Sequence, residues 1–98
     1  MKQLDVPAEM KVDIDLSDKK IPASAKMLMP LVFKDGDAYC CVLGPDAHQG
    51  VFGSGKTVIE AIKEWDKNLE RKKKITDPDD EVAFYIHETL KRNKEQVW

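Results

Sequence analysis

The chain has 98 residues, 42% of them hydrophobic and 35% charged, with a formal net charge of -2. That length holds one modest core rather than two lobes, and the chain is too apolar and too evenly charged for disorder. The longest apolar runs, "MLMPLVF" and "AYCCVLG", fall far short of the roughly 20 residues of a membrane-spanning helix, and "MKQLDVPAEM" lacks the apolar stretch of a secretion signal. A single domain spanning residues 1–98 in the cytoplasm is therefore expected.

Residues 10–16, "MKVDIDL", alternate, with Met10, Val12, Ile14 and Leu16 on one side and Lys11, Asp13 and Asp15 on the other. This is the pattern of a half-buried N-terminal strand. "SDKKIPASA" reads as a polar link containing Pro22, and residues 27–43 read as a hairpin turning at "KDGD". Asp35 and Gly36 carry that signal, because glycine accepts the positive φ of tight hairpin loops. Pro30 cannot donate to a ladder, so the first hairpin strand either lies at an edge there or begins at Leu31. Cys40 and Cys41 are neighbours in the second strand, so their side chains point to opposite faces and are expected to be free thiols, buried or half-buried.

A short extended piece over residues 50–53 leads to a helix over 57–73. Thr57 as N-cap and Glu60 three residues later make a capping box, and Val58, Ile62, Trp65 and Leu69 recur at helical spacing. The helix ends on Arg71, Lys72, Lys73 and Lys74, cations that suit the negative end of its dipole. A second helix is expected over 78–94, with Asp77 as N-cap, Pro78 in its first position, acids in its first turn, and Lys91 and Arg92 near its end. Its stripe of Val82, Tyr85, Ile86 and Leu90 needs a cover from the sheet, the first helix or another copy of the chain.

One stretch, "GVFGSGKT" over residues 50–57, fits the phosphate-loop pattern G-x-x-x-x-G-K-[ST]. Such a loop leaves a buried parallel strand, whereas "GPDAHQ" ahead of Gly50 is a polar turn. The expectation is a glycine-rich strand-to-helix turn, with Gly55, Lys56 and Thr57 kept as a candidate anion site at the helix N-terminus. His48 and His87 are isolated and no Cys/His cluster has ligand spacing, so neither a metal site nor a cofactor is expected.

Residues 31–70 resemble the HicB-like antitoxin family. The likeness is carried by "LVFKDGDAYCCVLGP", "DAHQGVFGSGKT" and "TVIEAIKEWDKNL", in which Pro45, Asp46, Gly50, Gly55, Thr57, Glu60 and Ala61 fall on the family's turn and cap positions. The resemblance implies a small α+β fold like a trimmed ribonuclease H without its catalytic carboxylates, which masks a small toxin. The residues of this chain are expected to give a small antiparallel sheet of three to four strands followed by two helices, the second standing where the family often places a strand. Family members usually add a helix-turn-helix or ribbon-helix-helix DNA-binding module, and the single amphipathic helix expected over 78–94 is too little for a helix-turn-helix, so operator binding is not expected.

The function expected is thus a non-catalytic protein-binding module, an antitoxin-like or mobile-element regulator, with Leu31, Val32, Phe33, Tyr85 and Trp98 as candidate partner contacts. A small sheet with open edges is also expected to self-associate as a homodimer. The alternative is nucleic-acid binding through Arg71, Lys72, Lys73, Lys74, Lys91 and Arg92, faintly like the last part of a double-stranded-RNA-binding domain. Catalysis is not expected. Asp13, Asp15, Asp35 and Asp37 read as solvated acids, and Ser24 and Ser54 have no base beside them in sequence.

Overall fold

The structure is a computed structural model that describes residues 3–14, 17–46, 49–77 and 79–95, with all their side chains except those of 93–95. It is an α+β fold. A short helix α1 (Ala23–Leu28) precedes three strands, β1 (Leu31–Asp35), β2 (Ala38–Leu43) and β3 (Val51–Gly55), and helices α2 (Val58–Lys73) and α3 (Glu81–Glu95) follow. The strands form an antiparallel sheet in the order β1-β2-β3.

The hairpin closes with Asp35 opposite Ala38, leaving Gly36 and Asp37 as its loop. Gly36 has φ 61° at the first loop position, the pattern of a type II′ turn, whose twist matches that of the strands. Beyond β2, the chain turns where the Asp46 carboxylate accepts from the Gln49 amide at 2.7 Å, and β3 then runs back along β2.

The larger core lies on one face of the sheet. Val32, Cys41, Leu43 and Val51 meet Ala61, Ile62, Trp65 and Leu69 of α2, and α1 and α3 close the outside with Ala25, Leu28, Val82 and Ile86. Contact with β3 is close enough to require a particular residue. A Cβ on Gly53 would lie 2.1 Å from the Trp65 backbone nitrogen, so glycine lets α2 rest directly on the strand. On the opposite face, Phe33, Cys40 and Val42 lie under Leu4, Val6 and Met10 of the N-terminal segment. The adjacent thiols thus face opposite ways, as strand alternation requires.

Several boundaries differ from expectation for physical reasons. The polar link contains α1, because Ile21, Ala25 and Leu28 recur at helical spacing and all are buried. The hairpin strand starts at Leu31 rather than 27, since Met29 ends α1 in a left-handed conformation (φ 54°) and Pro30 has no N–H to pair. The expected strand over 10–16 reduces, in its described part, to one bridge, Lys11 to Phe33, and a bond from the Val12 amide to the Val32 carbonyl at 2.9 Å. Ahead of it Ala8–Met10 forms a 3-10 turn, and Asp15 and Leu16 lie outside the described residues. Alternation places Val12 and Ile14 against the larger core, but Met10, expected on the same side, packs on the opposite face because the Ala8–Met10 turn ends the extended run.

Helix α3 begins at Glu81, three residues later than expected. Asp80, not Asp77, is its cap: its carboxylate accepts from the Ala83 amide at 3.0 Å and its carbonyl from Phe84 at 3.0 Å. Asp77 instead accepts from the Asp79 amide at 2.9 Å, shaping the turn before the helix, while Pro78 lies outside the described residues.

Candidate functional site

At the end of β3 the glycine turn feeds α2 with its cap in place. Thr57 Oγ1 accepts from the Glu60 amide at 3.1 Å. The Glu60 carboxylate reaches back to the Lys56 amide at 2.9 Å, one residue earlier than the Thr57 amide that a standard capping box would use. A Cβ on Gly55 would come within 2.5 Å of Glu60 Cβ, so Gly55 is there to let the turn close on the helix. The candidate anion site at Gly55, Lys56 and Thr57 therefore already faces a carboxylate of its own chain, which binds the amide an incoming anion would use.

The cations are divided in the same way. Lys72 is half-buried, with Nζ donating to the Gln49 carbonyl at 2.8 Å and pairing with Asp80 Oδ2 at 2.8 Å. It ties the end of α2 to the loop before β3 and to the cap of α3. Burial alone would push the Asp80 carboxyl up, but the hydrogen bond from Lys72, the Ala83 and Val82 amides and the Lys72 charge outweigh it and hold the group below its ordinary value. Lys73 pairs with Glu70 at 3.0 Å. Arg71, Lys74, Lys91 and Arg92 remain exposed. An open cleft of about 560 Å³ beside the Lys72 staple is lined by Asp77, Asp79, Asp80 and Glu81, so the local surface there is acidic.

The expected partner residues are mostly inside. Val32 is in the core at 2% exposure and Phe33, at 9%, lies beneath the N-terminal segment, with Leu31 half-buried on the same face. Tyr85 packs against the core from α3, its hydroxyl 3.5 Å from the Leu28 carbonyl. Trp98 lies outside the described residues. Asp13, Asp35 and Asp37 are exposed, and among the described residues no group of His, Cys, Asp or Glu is arranged to hold a metal ion. Burial, then the charge of Asp35, raises the Cys40 thiol above its ordinary value, and burial, then Cys40, raises Cys41 much further.

A different surface comes forward: the outer edge of β3. Among the described residues that strand pairs only with β2. Asn68 of α2 donates to the Phe52 carbonyl at 2.6 Å, which shows that Phe52 turns its backbone groups away from β2, and by alternation Ser54 does the same. Beside this edge runs a groove of about 390 Å³ lined by Val51, Phe52, Asn68, Arg71 and Ile75. No ion pair joins Arg71 to another described residue. The opposite edge, on β1, is partly taken, because Val12 holds the Val32 carbonyl. The sequence offered one signal for the groove, Asn68 and Arg71 at i, i+3 on the flank of the α2 stripe.

No described helix is long and apolar enough to cross a membrane. No family model, no curated protein and no solved structure matches the chain.

Proposed function

We propose that the chain is a non-catalytic protein-binding module that takes an extended segment of a partner along the outer edge of β3. One observation carries this reading: Phe52 lines a groove, and the outward backbone groups of Phe52 and Ser54 pair with no described strand, although the Phe52 carbonyl is held by Asn68. An added strand gains main-chain hydrogen bonds there, displacing or sharing the Asn68 bond at the Phe52 carbonyl, and Arg71 supplies a charge for an acidic side chain. The unit from β1 to α2 supports the HicB-like resemblance in its element order, so the partner class proposed is a small toxin-like protein that the module masks. The same edge would serve a homodimer through β3 pairing with β3, so self-association and partner binding would compete. A cytoplasmic setting suits the two free thiols.

The test is an affinity pull-down from native host lysate, with and without nuclease, using the full chain and the variants Ser54→Pro and Arg71→Glu. Proline at Ser54 removes an outward N–H and leaves the β2 pairing intact. A small, nuclease-insensitive protein captured by the parent chain and reduced at least about tenfold by either variant supports edge pairing. Capture unchanged by both variants rejects it. The alternative, nucleic-acid contact, is left with Arg71, Lys74, Lys91 and Arg92, since Lys72 and Lys73 are engaged in ion pairs. Recovery of nucleic acid, abolished by nuclease and weakened by salt, would favour that reading.

A further inference from the structure

The segment over residues 3–12 covers one face of the sheet in a way that sets it apart from the rest of the fold. Its anchors to the sheet are at its ends. Gln3 Nε2 donates to the Val42 carbonyl at 3.0 Å, Gln3 Oε1 accepts from the Gly44 amide at 2.7 Å, and the Leu4 amide donates to the Gly44 carbonyl at 2.8 Å. Beyond the Ala8–Met10 turn lies the far end, where Lys11 bridges to Phe33 and the Val12 amide holds the Val32 carbonyl. Between them, among the described residues, the bonds are internal: Met10 donates to Pro7, Lys11 to Ala8, and the exposed Lys11–Asp5 pair spans 3.4 Å. No residue from 3 to 12 is fully buried, and Leu4, Val6 and Met10 meet the sheet half-exposed.

We propose that this segment is a releasable strap: it opens as a unit while the helix-packed side stays folded, and it thereby controls access to the sheet face that carries Leu31, Phe33, Cys40 and Val42. Opening breaks the few end anchors, withdraws half-buried Val12 from the margin of the larger core and uncovers Phe33, Cys40 and Val42, but it leaves every β1-β2 and β2-β3 pair and the packing of α2 on the sheet in place. Local openings of this kind need less free energy than global unfolding because they expose less buried surface. Phe33 and Cys40, buried under the segment, become open to solvent in the opened state, and half-buried Leu31 becomes more so. The inference does not rest on the β3 edge and survives if that edge binds nothing.

The adjacent thiols provide the readout. Cys40 is under the strap at 8% exposure, whereas Cys41 is at 0% on the helix side. The full chain is treated with N-ethylmaleimide over a urea series below the unfolding transition, and peptide fragmentation assigns the label to one cysteine or the other. The expected result is labelling of Cys40 at least about a hundredfold faster than Cys41, with a much weaker dependence on urea. Gln3→Ala and Leu4→Ser should each speed Cys40 labelling about tenfold, equivalent to ~1.4 kcal/mol, and leave the Cys41 rate unchanged. Two results overturn the strap. One is equal rates and equal urea slopes for both thiols, which would mean a single global opening. The other is a fast Cys40 that neither variant accelerates, which would mean that the thiol is reached without release of residues 3–12. Because Cys41 is read in the same sample, a variant that merely loosens the whole fold is recognised by its faster Cys41.

Discussion

On one side of β2, Cys41 and Leu43 lie under a helix, whose Ala61, Ile62, Trp65 and Leu69 are fully buried while Val58 and Ile59 at its start are half-buried. On the other side, Cys40 and Val42 lie under an extended segment whose apolar residues are all half-exposed. The difference follows from where each cover finds its backbone hydrogen bonds. A helix satisfies its own N–H and C=O groups and can be pressed onto a sheet without penalty, whereas a lone extended segment must keep most of its peptide groups in contact with water. It therefore stays at the surface and shields only partly.

The comparison is broken most severely by Gly53→Ala, whose new Cβ would collide with the α2 backbone rather than with a yielding side chain. A loss of more than about 3 kcal/mol in urea unfolding is expected, and a loss below ~1 kcal/mol would mean that α2 stands further from β3 than described. Next comes Trp65→Ala, expected to cost about 3–5 kcal/mol, against less than ~1 kcal/mol for Val6→Ala under the strap. Trp65→Phe should cost far less than Trp65→Ala, because the buried Trp65 Nε1 has no hydrogen-bond partner to lose.

Smaller effects test the junctions of the helical side. Asp80→Ala removes the α3 cap and the Lys72 pair and is expected to cost about 1–2 kcal/mol. The Asp80 carboxyl is held below its unfolded value, so its contribution is present at neutral pH and is lost on acidification below about pH 4, as the folded-state group takes up a proton. Unfolding curves across that range should be steeper in pH for the parent chain than for Lys72→Met. The smallest expected change is Glu60→Ala, about 1 kcal/mol or less, seen as earlier fraying of the first turn of α2 by amide exchange.

Much of the helical side could be read from residue order. Thr57, Glu60 and the Trp65 stripe act within a few residues of one another, and Asp35 and Gly36 place a turn by local conformation alone. Where several residues compete for one local role, the choice is tertiary. Asp77, Asp79 and Asp80 can each cap a helix, and Asp80 does so in a position where Lys72 from α2 meets it. Alternation over 10–16 identified an inward face but could not reveal that β1, ended by Pro30, offers only a short edge to pair with. Helix α1 was hidden because six residues between two prolines resemble a link. The candidate site was least legible, since the edge position of β3 depends on strand order, and Lys72 in a run of cations has no sequence mark distinguishing it from exposed Arg71.

The Gln3 side chain bonds to a carbonyl 39 positions further along the chain. During synthesis from the N-terminus, the segment over residues 3–12 is therefore made well before the place where it docks. Leu4, Val6 and Met10 are left waiting until β1 and β2 have emerged and paired, a pairing that is itself between near neighbours in sequence and closes quickly. The cover is made before the face it covers and fitted after it, and at slow translation the bare interval lengthens with it.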